Sequence, residues 1–236
     1  MTEIPLYDWI LNEFGVSARA ESVEDHSASL RAVITPGARV IDLCCGGGAF
    51  SFFAETLGVE VVGVDISGKI LRFAHSEAKD RKSAVRFVKG DILEADLGEG
   101  FDVALLLGNT IADFRPTEVR KLAVRVRGLL REGGVLLVGY RDGLRRFIEG
   151  TYAREGIQSE SPVRITWRFH SYAPDAGAIV EEYERQPSQD TCQYASHVYS
   201  PAVVRALLAD ELQWEEVEPI GENSLLDRFR KKAEAI

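Results

Sequence analysis

Residues 40–51, VIDLCCGGGAFS, run from apolar side chains through an acid into three consecutive glycines. Val40, Ile41 and Leu43 suit a strand buried on both faces, and Gly46 to Gly48 let the backbone turn tightly and approach a ligand where a Cβ would clash. From Ala49 onward, AFSFFAETLG reads as a helix that stops at Gly58, so its N-terminal amides face whatever the loop holds.

Two ligands suit such a loop, a dinucleotide and S-adenosylmethionine. A dinucleotide fingerprint needs GxGxxG. Gly46 and Gly48 supply GxG, but Ser51 stands in the third glycine's place, where close helix-to-strand packing wants no side chain. Asp42, ahead of the glycines, would set a negative charge near a pyrophosphate and suits a cationic ligand instead. A second β-branched run, EVVGVDIS at Glu60 to Ser67, ends at Asp65, about 20 residues beyond the loop, where an acid can accept hydrogen bonds from both ribose hydroxyls. Asp65 would serve either ligand, and it also reads as a plain helix cap ahead of Ser67. A third run, AVRFVKGDIL, ends at Gly90 and Asp91, which on their own read as a turn.

The fourth strand, FDVALLLGNT at Phe101 to Thr110, is continuously apolar up to Gly108 and belongs in the centre of a sheet. Helix KLAVRVRGLL, the turn REGG and a fifth strand, VLLVGY at Val135 to Tyr140, follow. Strand and helix alternate throughout, which predicts a parallel sheet with helices on both faces and ligands at the carboxyl ends of the strands.

An acid followed by GxGxG resembles motif I of the class I S-adenosylmethionine-dependent methyltransferases, with Cys44 standing where the first glycine would be. The resemblance implies an α/β, Rossmann-like, doubly wound sheet of seven mostly parallel strands. It also implies S-adenosyl-L-methionine as cofactor, with Asp42, Cys44, Gly46, Gly48, Asp65, Ile66, Leu107 and Gly108 around it and with Asp91 and the Ile92 amide reading the adenine. Helices at roughly 5–14 and 22–33 would close over the cofactor, with Tyr7 and Trp9 as candidates there and Arg19 as the nearest match to the family's carboxylate-binding arginine.

Beyond strand five the chain resembles a narrower group, the small-molecule N-methyltransferases typified by glycine and sarcosine methyltransferases. GNT at Gly108 to Thr110 resembles that group's ending of strand four, and the resemblance makes Asn109 an orienting group. GYRDGLRRFI places Arg141 where the group binds the acceptor's carboxylate, a task that suits a planar guanidinium. Val163 to Ser200 reads as three antiparallel strands with a turn at APDAG, similar to the sheet that covers the acceptor pocket in that group. Helix PAVVRALLADEL and a last strand, WEEVEPIG, complete the chain. Tyr199, on one strand face with His197, is the better candidate of the two to steer an amine, beside the plainer reading of aromatic packing between sheet and helix, while His26 and His75 fall in helical stretches and read as solvated. Asn109, Arg141 and Tyr199 are thus the expected catalytic set.

The 236 residues, 45% of them hydrophobic, fit one domain: N-terminal helices over 1–35, a cofactor-binding core over 36–150, cap strands over 151–200 and a C-terminal helix and strand over 201–236. A net charge of −9 without a basic stripe argues against a nucleic-acid partner and for a small-molecule acceptor. No run approaches the roughly 18 apolar residues of a membrane span, and a cytoplasmic protein is expected. Three cysteines make neither a disulfide framework nor a zinc spacing, and no metal-ligand cluster stands out. The sequence leaves the choice between monomer and homo-oligomer open. O- or C-methylation of a small acid or phenol, a cofactor-binding regulatory protein without acceptor chemistry, and a nicotinamide-dependent oxidoreductase remain as alternatives to N-methylation.

Overall fold

A computed structural model describes Leu6 and residues 20–160, 163–220 and 224–233. Helix α1 (Ala20–Val33) leads into strand β1 (Arg39–Leu43), helix α2 (Ala49–Glu55), β2 (Glu60–Asp65), α3 (Gly68–Arg81), β3 (Arg86–Lys89) and β4 (Phe101–Leu106). A 3-10 turn (Thr110–Asp113), α4 (Pro116–Leu129), β5 (Leu130–Arg141) and α5 (Gly143–Ile148) follow. Then come β6 (Glu155–Ser159), β7 (Arg164–Ala173), β8 (Ala178–Gln186), β9 (Asp190–His197), α6 (Pro201–Leu208), β10 (Leu212–Ile220) and β11 (Ser224–Lys231).

The main sheet has seven strands in the order β10-β11-β5-β4-β1-β2-β3. β1 sits in its centre, parallel to β2 (Val40 opposite Val61) and to β4 (Val40 opposite Val103), while β10 and β11 form an antiparallel hairpin on the flank of β5. Successive side chains of a strand point to opposite faces. Ile41 and Leu43 therefore enter one core with Leu122 and Val126 of α4 and Val204 of α6. Val40 enters the other with Leu30 of α1, Phe50 and Phe52 of α2, and Leu71 of α3. Helices on both faces are the reason the central strands read as unbroken apolar runs.

Local chemistry matches these elements. Ser67 caps α3 by accepting from the Ile70 amide at 3.3 Å, and Glu118 closes the start of α4 by accepting from the Arg115 amide at 2.8 Å. The predicted REGG turn lies within β5, where pairing with β4 jumps from Phe101 opposite Leu130 to Val103 opposite Val135 and residues 131–134 loop out.

A second sheet, in the order β6-β7-β8-β9, is antiparallel throughout. It contains the three expected cap strands, with the Ala173–Gly177 turn between β7 and β8, where the Gly177 amide donates to the Pro174 carbonyl and Gly177 has φ 62°. It also contains β6, which the polar EGIQS stretch did not announce. The C-terminal portion holds two strands where one was expected. No helix among the described residues is long and apolar enough to cross a membrane.

Candidate functional site

The glycine loop leaves β1 through three left-handed positions, Cys44 at φ 57°, Gly46 at φ 55° and Gly48 at φ 87°. A Cβ at Gly48 would lie 2.7 Å from Cζ of Phe87, so conformation and space both demand glycine there. Cys44 adopts the same backbone region with a side chain, at a cost of about 1–2 kcal/mol. Its partner Cys45 is buried beside Gly63, where a Cβ would come within 3.0 Å of the Cys45 Sγ.

Asp65 organises the loop from the end of β2. Its Oδ2 accepts from the Gly46 amide at 2.9 Å and its Oδ1 from the Ser67 amide at 2.9 Å. Asp91 accepts from the Leu93 amide at 3.0 Å, which fixes the turn after β3 and with it Ile92, whose side chain is buried in the core. Ile66 follows Asp65 half-buried.

Asp42 is 2% exposed, and its Oδ2 accepts from the Ser51 hydroxyl at 2.6 Å. The residue that departs from the dinucleotide fingerprint thus holds the acid in place. Ser51→Ala is expected to lower stability by about 1.5–3 kcal/mol, the usual value of a hydrogen bond to a charged group. Urea denaturation checks this, and a loss below about 0.5 kcal/mol would mean the bond is dispensable.

Burial raises the Cys44 thiol well above its ordinary pKa, and the carboxylates of Asp65, Asp113, Asp42 and Asp91 push it further the same way. Four acids acting on one loop create a field that favours a cationic ligand and disfavours a pyrophosphate.

Gly108 (φ 72°) and Asn109 (φ 64°) turn the chain sharply after β4, a conformation that Asn tolerates among non-glycine residues. Asn109 then ties β4 to β5. Its amide donates to the Gly139 carbonyl at 3.1 Å, and its Oδ1 accepts from the Arg141 amide at 3.0 Å. The side-chain carbonyl is thereby engaged, which leaves the NH2 group for a ligand. Gly108, Asn109 and Arg141 line a cavity of about 410 Å³ between the ends of β4 and β5 and the cap strands.

Residues 40–134 match the family model described as a methyltransferase domain. Over this stretch the chain is similar to S-adenosylmethionine-dependent methyltransferases. It is similar to the glycine N-methyltransferase of Rattus norvegicus, at 31% identity over 118 residues that cover 44% of this chain and 40% of that protein. The match thus spans less than half the length of that relative. Among solved structures, the PH0226 protein from Pyrococcus horikoshii OT3 is 25% identical with a TM-score of 0.77, over 98% of this chain and 100% of that one. CalS10 from Micromonospora echinaspora, an amino pentose methyltransferase solved with S-adenosylmethionine bound, shares the fold at 20% identity, TM-score 0.68, over 98% of this chain and 99% of that one.

The loop's geometry fits S-adenosylmethionine, the molecule bound in CalS10. A sulfonium suits the four-acid field, a ribose suits Asp65, and the left-handed glycines allow close backbone approach. Cys44, Gly46, Gly48, Asp65, Ile66, Asp91 and Ile92 are brought together at the ends of β1, β2 and β3, with Asp42 behind them.

Four expectations need correction or lie elsewhere. Leu107 is buried in the core, 3% exposed, with its carbonyl accepting the Thr110 hydroxyl at 2.7 Å, so its side chain does not face a ligand. Tyr199 is 4% exposed and its hydroxyl donates to the Phe114 carbonyl at 2.6 Å, which engages the group expected to steer an amine. His26 is buried, not solvated, with its ring edge-on to Phe50 at 5.2 Å. Val23, His26 and Leu30 recur at helical spacing, a period that would have placed His26 on the inner face. Arg19, Tyr7 and Trp9 lie outside the described residues.

The cavity also holds Arg146 and Glu181, which sequence reasoning did not single out, and His197, weighed there beside Tyr199. Arg146, from α5, lies over the Tyr152 ring at 4.8 Å; burial lowers its pKa, and the neighbouring Arg141 charge adds to the effect. Glu181 of β8 accepts from the Tyr183 hydroxyl at 2.9 Å. The Nδ1 atom of His197, on the cavity wall, is 3.0 Å from the Ala112 carbonyl, and its Nε2 has no partner among the described residues. Such an orphaned buried acceptor costs roughly 1–3 kcal/mol.

Proposed function

We propose that the chain transfers a methyl group to the nitrogen of a small, amino-acid-like amine in the cavity between the sheet and the cap. The observation that carries this reading is the shared boundary of the two sites. Gly108 and Asn109 close the end of β4, beside the cofactor loop, and also line the cavity together with Arg141. Bound S-adenosylmethionine supplies a methyl group on a positively charged sulfur. Asp65 would hold the ribose, Asp91 and the Ile92 amide the adenine, and the acids around Cys44 would favour the cationic form. The NH2 of Asn109 and the guanidinium of Arg141 would orient the acceptor, and the cap strands would exclude water. Alignment of this kind can supply up to roughly 7–11 kcal/mol of a barrier, so the side chains need do little acid or base chemistry beyond handling one proton. The likeness to glycine N-methyltransferase supports nitrogen as the acceptor atom. The acidic chain without a basic stripe supports a small molecule and a cytoplasmic setting.

A panel of amines, phenols and carboxylic acids, assayed with methyl-labelled cofactor, tests the reading. Label found only on hydroxyl acceptors would defeat it. Arg141→Met probes the carboxylate clamp and leaves the backbone amide that Asn109 holds in place. The KM for carboxylated amines is expected to rise about 10- to 100-fold, in line with the loss of one partly solvated charged pair, with cofactor affinity unchanged. An unaltered KM would remove Arg141 from the acceptor site.

A further inference from the structure

We propose that Nε2 of His197 takes the proton from the nucleophilic atom of the acceptor, an amine nitrogen on the reading above, on which this inference rests. The tautomer is set by the fold. A carbonyl can only accept, so at 3.0 Å from the Ala112 oxygen Nδ1 must be the donor, and in the neutral ring Nε2 carries the lone pair. The ring's orientation is held from two sides. Tyr199 lies nearly parallel, 20° between planes with centroids 6.1 Å apart, and the Tyr199 hydroxyl is itself anchored on the Phe114 carbonyl. Ala112 belongs to the 3-10 turn that follows Asn109, so one short turn fixes His197 relative to the carboxyl end of β4.

Nε2 is a buried acceptor without a partner among the described residues, in a wall whose tyrosine hydroxyls are engaged. Tyr183 donates to Glu181, Tyr194 to Asp113 and Tyr199 to Phe114. His197 is 9% exposed and lines the cavity with Asn109 and Arg141. Two further buried polar atoms without a hydrogen-bond partner among the described residues are guanidinium Nε atoms, of Arg127 and Arg228, and both of those side chains have ion pairs with glutamates. An ammonium or amine N–H that approaches His197 from the cavity would supply the donor that the buried Nε2 lacks among the described residues.

The proton transfer balances simply. An acceptor arriving as R–NH3+ breaks one N–H bond and keeps the electron pair on nitrogen, and the proton forms a new N–H bond at Nε2. Neutral R–NH2 with a free lone pair and an imidazolium result, and the imidazolium returns its proton to water when product leaves. Arg141 at the end of β5, Arg146 of α5 and Glu181 of β8 line the same cavity.

His197→Asn separates structure from chemistry, because the asparagine amide can take the place of Nδ1 and keep the bond to Ala112 while Nε2 is lost. The expected result is a fall in kcat of about 100-fold, within the range for a positioned acid or base, with melting temperature and cofactor dissociation constant unchanged. Acceptor affinity in the complex with demethylated cofactor, measured by calorimetry, is expected to drop several-fold, a readout that needs no turnover. His197→Gln, which sets an amide oxygen near the Nε2 position, is expected to recover that affinity but not kcat. Nitrogen-15 spectra of the wild-type imidazole are expected to show Nε2 unprotonated and shifted on acceptor binding. A kcat for His197→Asn within threefold of wild type, or a protonated Nε2 beside a bare Nδ1, would overturn the proposal. If wild-type protein methylates hydroxyls alone, the amine reading fails while His197→Asn, assayed on those hydroxyls, still decides the role of His197. No transfer to any N–H or O–H acceptor would overturn both.

Discussion

Asp65→Ala is expected to weaken S-adenosylmethionine binding by 100-fold or more. The argument starts from the two amides that Asp65 holds, Gly46 and Ser67, one from the glycine loop and one from the start of α3. The carboxylate is 7% exposed, so water does not stand in for it when it is removed. Two charged hydrogen bonds to ribose hydroxyls, at roughly 1.5–3 kcal/mol each, amount to about 3–6 kcal/mol, or between two and four orders of magnitude in the dissociation constant. Loss of the loop's anchor acts in the same direction. Calorimetry with the cofactor measures this, and circular dichroism confirms that the variant is folded. A loss below about fivefold would show that the ribose lies elsewhere.

The second large effect falls far from the cofactor loop. Asp227 of β11 is fully buried and accepts from the Tyr140 hydroxyl at 2.7 Å, from Nε and Nη2 of Arg205 at 3.1 and 2.9 Å, and from Nε1 of Trp214 at 3.2 Å. Arg205 also stacks over the Trp214 ring at 4.4 Å. Burial and the Asp227 carboxylate together push the Tyr140 hydroxyl far above its ordinary pKa, so it remains a donor. One carboxylate thus joins β5, β10, β11 and α6. Asp227→Ala would leave a guanidinium, a phenol and an indole without their acceptor, and removing one partner of a buried pair costs about 3–5 kcal/mol. For a chain of this size that corresponds to a drop of roughly 6–20 °C in melting temperature. A drop of under about 2 °C by calorimetry would mean that water or a neighbouring acid replaces the carboxylate. Because β11 pairs with β5 up to Ser224 opposite Arg141, the same variant is expected to loosen the acceptor side before the cofactor side.

How far the molecule was legible in advance depends on the range of the forces involved. The central strands could be read because a strand buried on both faces must be apolar at every position, and Ile41 and Val40 obey that rule on opposite faces. The glycine loop could be read because left-handed backbone leaves a mark in composition. β11 escaped because an aspartate interrupts its apolar pattern, and only Arg205, Tyr140 and Trp214, arriving from distant elements, make that aspartate acceptable in a core. β6 escaped because an edge strand over a polar face needs no alternation. In the candidate site, Tyr199 and His197 look equivalent along the chain, two residues apart on one face. The carbonyls of Phe114 and Ala112 separate them by engaging the hydroxyl of one and only one nitrogen of the other.

By itself, then, the sequence determined the class of fold and the glycine-loop cradle, because each rests on local conformation and on the short periods of strand and helix. Tertiary structure decided which polar groups of the cradle and cavity have their valences filled by the protein and which are left for a ligand. Hydrogen bonds saturate, and whether a given lone pair or proton is already engaged depends on partners from distant segments. Asp42 meets Ser51 across the glycine loop, 9 residues on, but His197 meets Ala112 across 85 residues.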